Sequence, residues 1–544
     1  MSVRNGIVLL LALSTLSFLA GCGSSNTPAP VAPPTGSFSN SNLNGTYVFS
    51  VSGSDVNGLP YAIVGTFIAN GSGGNGKGGI TGGTIDINDT SFAESSPVIL
   101  PVANAPINGN GFYSVGVDGR GQATLGTSTP FGNITLDFVL TSNAHGLVTE
   151  FDGNGTGSGT LDLQTAGLTQ ASLAGPYAFS FSGVDASATA IFATVGAFTL
   201  DANGNISPGV EDFNNGGLAI PDQGLTGTVA LGPSSTPATI LTTQSFALTF
   251  DVYAIDATHL KFIEMDALPI VAGDAYSQPS AAISGTLAFA MAGEFESNPS
   301  AVGGFMVTDG AGNITNASTE DVNESGTFSS SIPFTASYSS TGSGRFVLNN
   351  FSGFFGAVTA GAGYAAYPSS GGLLLLEIDN GGLMTGAAYP QTPGATFAAP
   401  QGYGLNLSGD NLADSVEVDD IAEFTASGGN LTGLIDENFT AAGNTQFFGQ
   451  ALDGTYAGPD SSGRYTIAAT TGSSSTAGTL NGILGLTFYA TDGITFPFIE
   501  SDSGQIAAGV FVEQTPSASS AAASHMFMVR PLIRPHSAAR RQKK

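Results

Sequence analysis

The sequence predicts an all-β protein built as four tandem antiparallel β domains. Three observations predict it. One opening strand is written four times, short alternating apolar runs fall between Gly-rich turns throughout, and no helical period of useful length appears. The strand reads LNGTYVFSVSG at 43–53, LAGPYAFSFSG at 173–183, ISGTLAF at 283–289 and YGLNLSG at 403–409. Aligned on Tyr47, Tyr177, Leu287 and Tyr403, the copies lie 130, 110 and 116 residues apart. The chain of 544 residues is too long for one core. With 77 Gly, no Trp, 41% hydrophobic and only 10% charged residues, it is too apolar for general disorder and suits a strand-rich protein.

The N-terminus comes first. Arg4 gives a positive start, and 7–20 is an apolar run too short to span a membrane as a mature helix. It ends in Leu19-Ala20-Gly21-Cys22. This resembles the lipobox of bacterial lipoproteins. The resemblance covers about 22 residues; it implies a signal peptide over 1–21, cleavage before Cys22 and acyl chains, palmitate among them, on Cys22. Gly23 follows the Cys rather than Asp, which in that family implies the outer membrane. A secretory signal with a chance Cys is the alternative. Cys22 is the only cysteine, so no intrachain disulfide can form. Residues 22–40 have the Ser/Pro/Ala composition of a tether. No later apolar run is long enough to span a bilayer, which predicts a soluble body.

The repeat extends well past its first strand. A second strand recurs from Val64, Val195, Val302 and Ile421, each followed by an Asn/Asp/Gly turn cluster. Asp-x-Asn follows at Asp86/Asn88, Asp212/Asn214, Asp321/Asn323 and Asp436/Asn438. A Gly-Arg step appears in three copies, Gly119-Arg120, Gly344-Arg345 and Gly463-Arg464. Glu-x-Asp closes in at Glu150/Asp152, Glu264/Asp266, Glu377/Asp379 and Glu500/Asp502. Each copy ends in Gly, four residues, Gln: Gly159/Gln164, Gly273/Gln278, Gly386/Gln391 and Gly509/Gln514. These landmarks place β repeats at 41–167, 168–280, 281–395 and 396–516, expected as beads on a string. Residues 517–544 are expected to be a disordered basic tail.

Within the first repeat, alternating runs fall around Tyr47, Val64, Ile80, Ile99, Tyr113, Leu125, Leu136 and Val148, with a closing run at Leu161. Many short strands joined by turns predict an up-and-down barrel, with a sandwich as the alternative. The Gly45-Thr46-Tyr47 opening is similar to the first strand of lipocalin- and avidin-like barrels. Closure also removes the edge strands that four adjacent similar domains must otherwise protect.

All 41 acids lie between Cys22 and Val529, against five basic residues: Lys77, Arg120, Lys261, Arg345 and Arg464. So acidic a body argues against nucleic acid and against anionic lipid. Six further basic residues crowd 530–544.

Candidate chemistry is sparse. Glu-x-Asp sets two carboxylates on one strand face, suited to acid/base work or to holding a cation. The competing expectation is a structural ion pair inside each unit: Arg120 with Glu150, Lys261 with Glu264, Arg345 with Glu377, and Arg464 with Glu500. A solvated strand face is the third option. Asp201, Asn203, Asn205 and Asp212 sit in near register with a Ca²⁺ loop, but Ile206 takes the place of its Gly, and Asx residues also make turns without an ion. GSGGNGKGG at 71–79 is one residue from a phosphate loop; Gly78 stands where Ser/Thr belongs and a strand follows, so a flexible hairpin loop is expected. His145 and His259 each precede Glu-x-Asp by five residues, from different units, so a shared zinc site is not expected. No Gly-x-Ser-x-Gly elbow occurs and no Cys remains as a nucleophile.

The expected protein is therefore a non-enzymatic lipoprotein of the cell envelope, held to the outer membrane through its N-terminal lipid, with its body in the periplasm or at the surface. Its four domains would serve a binding or structural and adhesive role, engaging a protein, a glycan or a small apolar molecule inside each barrel. No cofactor is expected, Ca²⁺ being the one candidate. The alternatives are a hydrolase using Glu-x-Asp in an open cleft, and a Ca²⁺-dependent adhesin.

Overall fold

Alternating residues close each repeat into a barrel because one strand face needs a sealed interior. The computed structural model describes residues 38–516 except 73–75, 92–100, 130–131, 188–189, 233–238, 244–245, 280–282, 297, 354–362, 398–400, 414, 440–444 and 473–481. Cys22, the tether up to 37 and the basic tail lie outside the described residues, as does the run at Ile99.

Four closed eight-strand antiparallel barrels follow one another along the chain, their strands spanning 44–163, 175–277, 286–390 and 401–513. Each runs up and down in sequence order, and its last strand pairs with its first: Tyr47 opposite Leu163, Tyr177 opposite Ser277, Leu287 opposite Pro390, Tyr403 opposite Glu513. In the first barrel Val102–Ile107 and Gly111–Val115 lie end to end along Gly78–Asp89 and share one place in the ring. The closing glycine of each repeat sits at the first-to-last crossing. A Cβ on Gly159 would lie 1.7 Å from the Ser50 carbonyl oxygen, so only glycine lets these strands approach.

Large apolar side chains fill the interiors. Phe179 and Phe181 stack at 4.7 Å in the second barrel, and Phe496 and Phe511 at 4.9 Å in the fourth. The repeat tyrosine points inward at one end, where Tyr47 donates to the Asn143 carbonyl at 2.7 Å and Tyr177 to that of Ala257 at 2.8 Å. Among the described residues no helix is long and apolar enough to cross a membrane.

The units are not beads on a string. The opening strands of each barrel pack against the closing strands of the next, and those of the fourth pack against the first. Four seams thus close the barrels into a ring. Strands at the seams are buried on both faces, one towards a barrel interior and the other towards a neighbour; Gly382–Pro390 is buried along all but its last residue. One register differs from the motif alignment. Asp86, Asp212 and Asp436 stand opposite Val64, Val195 and Ile421, but Asp321 stands opposite Gly303, not Val302. A one-residue slip exchanges faces. Met306 therefore takes the interior place of Phe67, Phe198 and Phe424, and Phe305 turns outward against Tyr489.

Candidate functional site at the barrel seams

The repeated polar residues meet at the seams, and each joins one barrel to the next. Asp-x-Asn lies on the outer face of its strand. Asn88 donates to the carbonyls of Glu264 and Asp266 at 3.0 and 2.8 Å, across the seam between the first two barrels. Asn214 does the same to Glu377 and Gly382 at 3.0 and 2.8 Å, and Asn323 to Glu500 and Asp502, both at 3.0 Å. Asn438 closes the ring by donating to Glu150 and Gly155 of the first barrel at 2.6 and 2.9 Å.

The aspartates take the arginines. Arg345 grips Asp212 with Nε at 2.7 Å and Nη2 at 2.5 Å, and the Tyr367 hydroxyl donates to the same carboxylate at 2.5 Å. Arg464 Nε reaches Asp321 Oδ2 at 2.9 Å and Tyr489 reaches it at 2.7 Å. Arg120 pairs with Asp436 across the closing seam. The intra-unit pairs expected of Arg120 with Glu150, Arg345 with Glu377 and Arg464 with Glu500 do not form. Ala123, Leu348 and Ile467 face the barrel interiors, which sets the arginines of the same strands outside. The glutamates follow Val148, Leu375 and Phe498 inward. A barrel wall separates the two groups.

The terminal glutamines form a third fastener. Gln391 Nε2 donates to the Ala490 carbonyl at 3.0 Å, Gln164 to Ala254 at 2.8 Å and Gln514 to Leu140 at 3.0 Å. The Gly of Gly-Arg is their seat. Gly463 has φ +94°, and a Cβ there would lie 2.8 Å from Gln391 Nε2; Gly344 faces Gln278 in the same way.

The seam between the first and second barrels lacks the arginine and is built differently. Tyr253 donates to Asp86 at 2.6 Å. Lys261 Nζ donates to Thr160 at 2.7 Å and Asp274 at 2.9 Å, and stands 3.7 Å from Asp162. His145 and His259 each contact one of those aspartates at 2.7 Å, so two histidines from different units do meet in one buried network. Burial raises Asp162 and Asp274, but the contacts with Lys261 and the two imidazoles outweigh it and hold both below the usual carboxylate range. Lys261 and Glu264 cannot pair, because residues three apart on a strand point to opposite faces.

The four glutamates of Glu-x-Asp are 3% exposed or less. Burial first, and then the neighbouring Asp carboxyl, holds Glu150, Glu377 and Glu500 well above the usual range and pushes Glu264 up to about 11. Buried under the wall, they line no open cleft among the described residues, which removes the geometry a Glu-x-Asp hydrolase needs. The paired aspartates clamp strand ends: Asp379 accepts from Gly363 N at 2.9 Å and Gly381 N at 2.7 Å.

The calcium candidates do not converge. Asp201 accepts from the backbone of Asn203 and Asn205, both at 2.8 Å, in an exposed turn, whereas Asp212 is buried under Arg345. Among the described residues no group of three or more His, Cys, Asp or Glu is placed to hold a metal ion. Lys77 of the Gly-rich hairpin rests over the Phe112 ring at 3.6 Å. The third barrel holds an apolar cavity of only about 10 Å³ between Phe289, Phe334 and Tyr364, room for a water at most rather than a small apolar ligand. A larger cleft of about 470 Å³ opens where the third and fourth barrels meet, lined by Leu287, Ser369, Tyr389, Pro390, Thr491 and Asp492.

Sequence reasoning missed Tyr253, Tyr367 and Tyr489. Their signal was present, since they precede Glu264, Glu377 and Glu500 by eleven, ten and eleven residues.

No family model matches this sequence, and no curated protein matches it. Solved structures of transferrin binding protein B are distantly similar. The intact Ap-TbpB, with its N and C lobes, is 9% identical over 70% of this chain and 86% of its own, with a TM-score of 0.17. The isotype 1 protein from serogroup B Neisseria meningitidis is 12% identical over 68% and 84%, with a TM-score of 0.20. A mutant from Haemophilus parasuis Hp5 is 9% identical over 70% and 82%, with a TM-score of 0.19. Likeness this distant does not tell what the present chain binds.

Proposed function

We propose that this chain is a lipid-anchored protein of the bacterial envelope whose four β units, 41–167, 168–280, 281–395 and 396–516, form a rigid platform with a binding or structural role rather than an enzyme. The observation that carries the reading is the use made of the repeated polar residues. Asp, Asn and Gln of every repeat, and Arg of the three that carry it, are spent on joining barrels, which suits a fixed assembly and leaves them unavailable for a reaction. Cys22 carries the acyl chains, the outer membrane is the destination, and the cleft at the third and fourth barrels is the place for a protein or glycan partner.

The test is metabolic labelling with radioactive palmitate in a Gram-negative host, followed by membrane fractionation. The wild-type chain takes up label and sediments with outer membranes; Cys22→Ser takes up none and appears in the soluble fraction. Equal labelling of the two chains, or membrane retention of the unlabelled variant, would sink the anchor.

A further inference from the structure

The four seams share their fasteners but not their filling. One apolar cluster runs through the second, third and fourth barrels, with Val195, Tyr276, Ala290, Leu374, Ile499 and Val510 among its members. Among the described residues, the closing seam has a cluster of just Val139, Leu147 and Ile421, with Phe151 edge-on to Phe448 beside it. It is also the one seam with no linker across it, since its two faces lie at opposite ends of the chain. Its filling is acidic. Asp419 occupies the place held by Ala62, Ala193 and Ala301 at the other seams, opposite the Asn of Asp-x-Asn. Glu423 stands where Ala197 and Phe305 stand.

Asp419 accepts from Thr156 at 3.0 Å and Ser158 at 2.7 Å, and Glu417 from Ser54. Facing these acids from the first barrel are Asp118, Asp137 and Arg120; Glu150 lies behind the wall with Tyr61, and His145 with Asp162, two residues from Leu147, belongs to the Lys261 network of the first–second seam. On their own barrel stand Asp420, Asp436 and Glu437. Arg120 is the only Lys or Arg among the described residues of this seam.

We propose that the fourth–first seam is a reversible joint, and that its two faces, parted when their buried carboxylates take on charge, dock head to tail onto the matching faces of a second copy of the chain. Every front face in the ring already fits a back face through the Asn/carbonyl contact, and three of the four, this seam among them, share the Asp/Arg and Gln/Gly contacts as well. A heterologous contact that no longer closes on itself propagates, and a split ring needs only a small axial offset at each seam to become a helix. Burial and neighbouring acids push Asp137 up to about 7 and Glu423 up to about 8. The closed seam thus keeps their protons, and closure is favoured below the ordinary carboxylate range and lost as pH rises through those values.

The experiment is light scattering on the purified full chain across a concentration series at about pH 5.5 and about pH 8.5. The expected result is single-chain mass at the lower pH, and mass growing with concentration at the higher pH and falling back on return. Asp419→Ala with Glu423→Gln is expected to stay at single-chain mass at both; Glu423→Gln alone, an isosteric change, is expected to shift growth to higher pH. Single-chain mass throughout for the wild type, or growth that neither variant reduces, overturns the proposal.

Discussion

Replacing Arg345 with Ala removes one side of the best-formed seam contact. Arg345 and Asp212 are 4% and 0% exposed, joined by two hydrogen bonds, and belong to different barrels. Truncating one partner of a buried ion pair costs about 3–5 kcal/mol, because the remaining charge is stranded. Tyr367 and the Asp222 amide at 2.8 Å still donate to Asp212, which places the expected loss near the lower end, about 3 kcal/mol. Glu377→Gln, by contrast, replaces a buried carboxyl that burial pushes towards its neutral form with a group of the same shape, and costs about 1 kcal/mol or less. The assay is a pair of double-mutant cycles by urea denaturation, read by far-UV circular dichroism because the chain has no Trp. The Arg345/Asp212 cycle is expected to show coupling of about 2 kcal/mol, and the Arg345/Glu377 cycle none beyond about 0.5 kcal/mol. A larger coupling with Glu377 than with Asp212 would refute the cross-seam pairing and restore an ion pair within the unit.

Stability is expected to fall between about pH 5 and about pH 8. Burial and the neighbouring Asp make the four lumen glutamates hold their protons more tightly when folded than when unfolded, so above the ordinary Glu value of about 4.5 each lowers stability as pH rises, by up to about 1.4 kcal/mol per pH unit. A urea midpoint that climbs over that window would contradict this. Gly463→Ala is expected to cost about 1–3 kcal/mol through its left-handed backbone, and to gain little further loss from Gln391→Ala, since both break one contact; additive losses in melting experiments would separate them. Ca²⁺ titration is expected to leave the melting temperature unmoved, because Asp201 is already occupied by the backbone of its own turn; a rise that Asp201→Ala abolishes would overturn that.

The sequence by itself determined the all-β class, most strands of the first repeat and the fourfold repetition. Period-two alternation and turn residues are local signals, and a landmark such as Asp-x-Asn needs no partner to be recognised. It also singled out the Asp, Asn, Arg and Gln that fasten the seams, though neither their tyrosines nor the acids of the closing seam, because Arg in an acidic, charge-poor chain stands out wherever it falls. What the tertiary structure alone decided was to whom those residues belong. Arg345 and Glu377 share a unit, yet strand parity and barrel closure set them on opposite sides of a wall, while Asp212, 133 residues away, lies against the guanidinium. Which face of a strand meets the lumen, and which neighbour covers the other, depends on register and on contacts between distant segments. Neither leaves a mark within one strand, and so His145 with His259, or Asn438 with Glu150, became neighbours only once the ring closed.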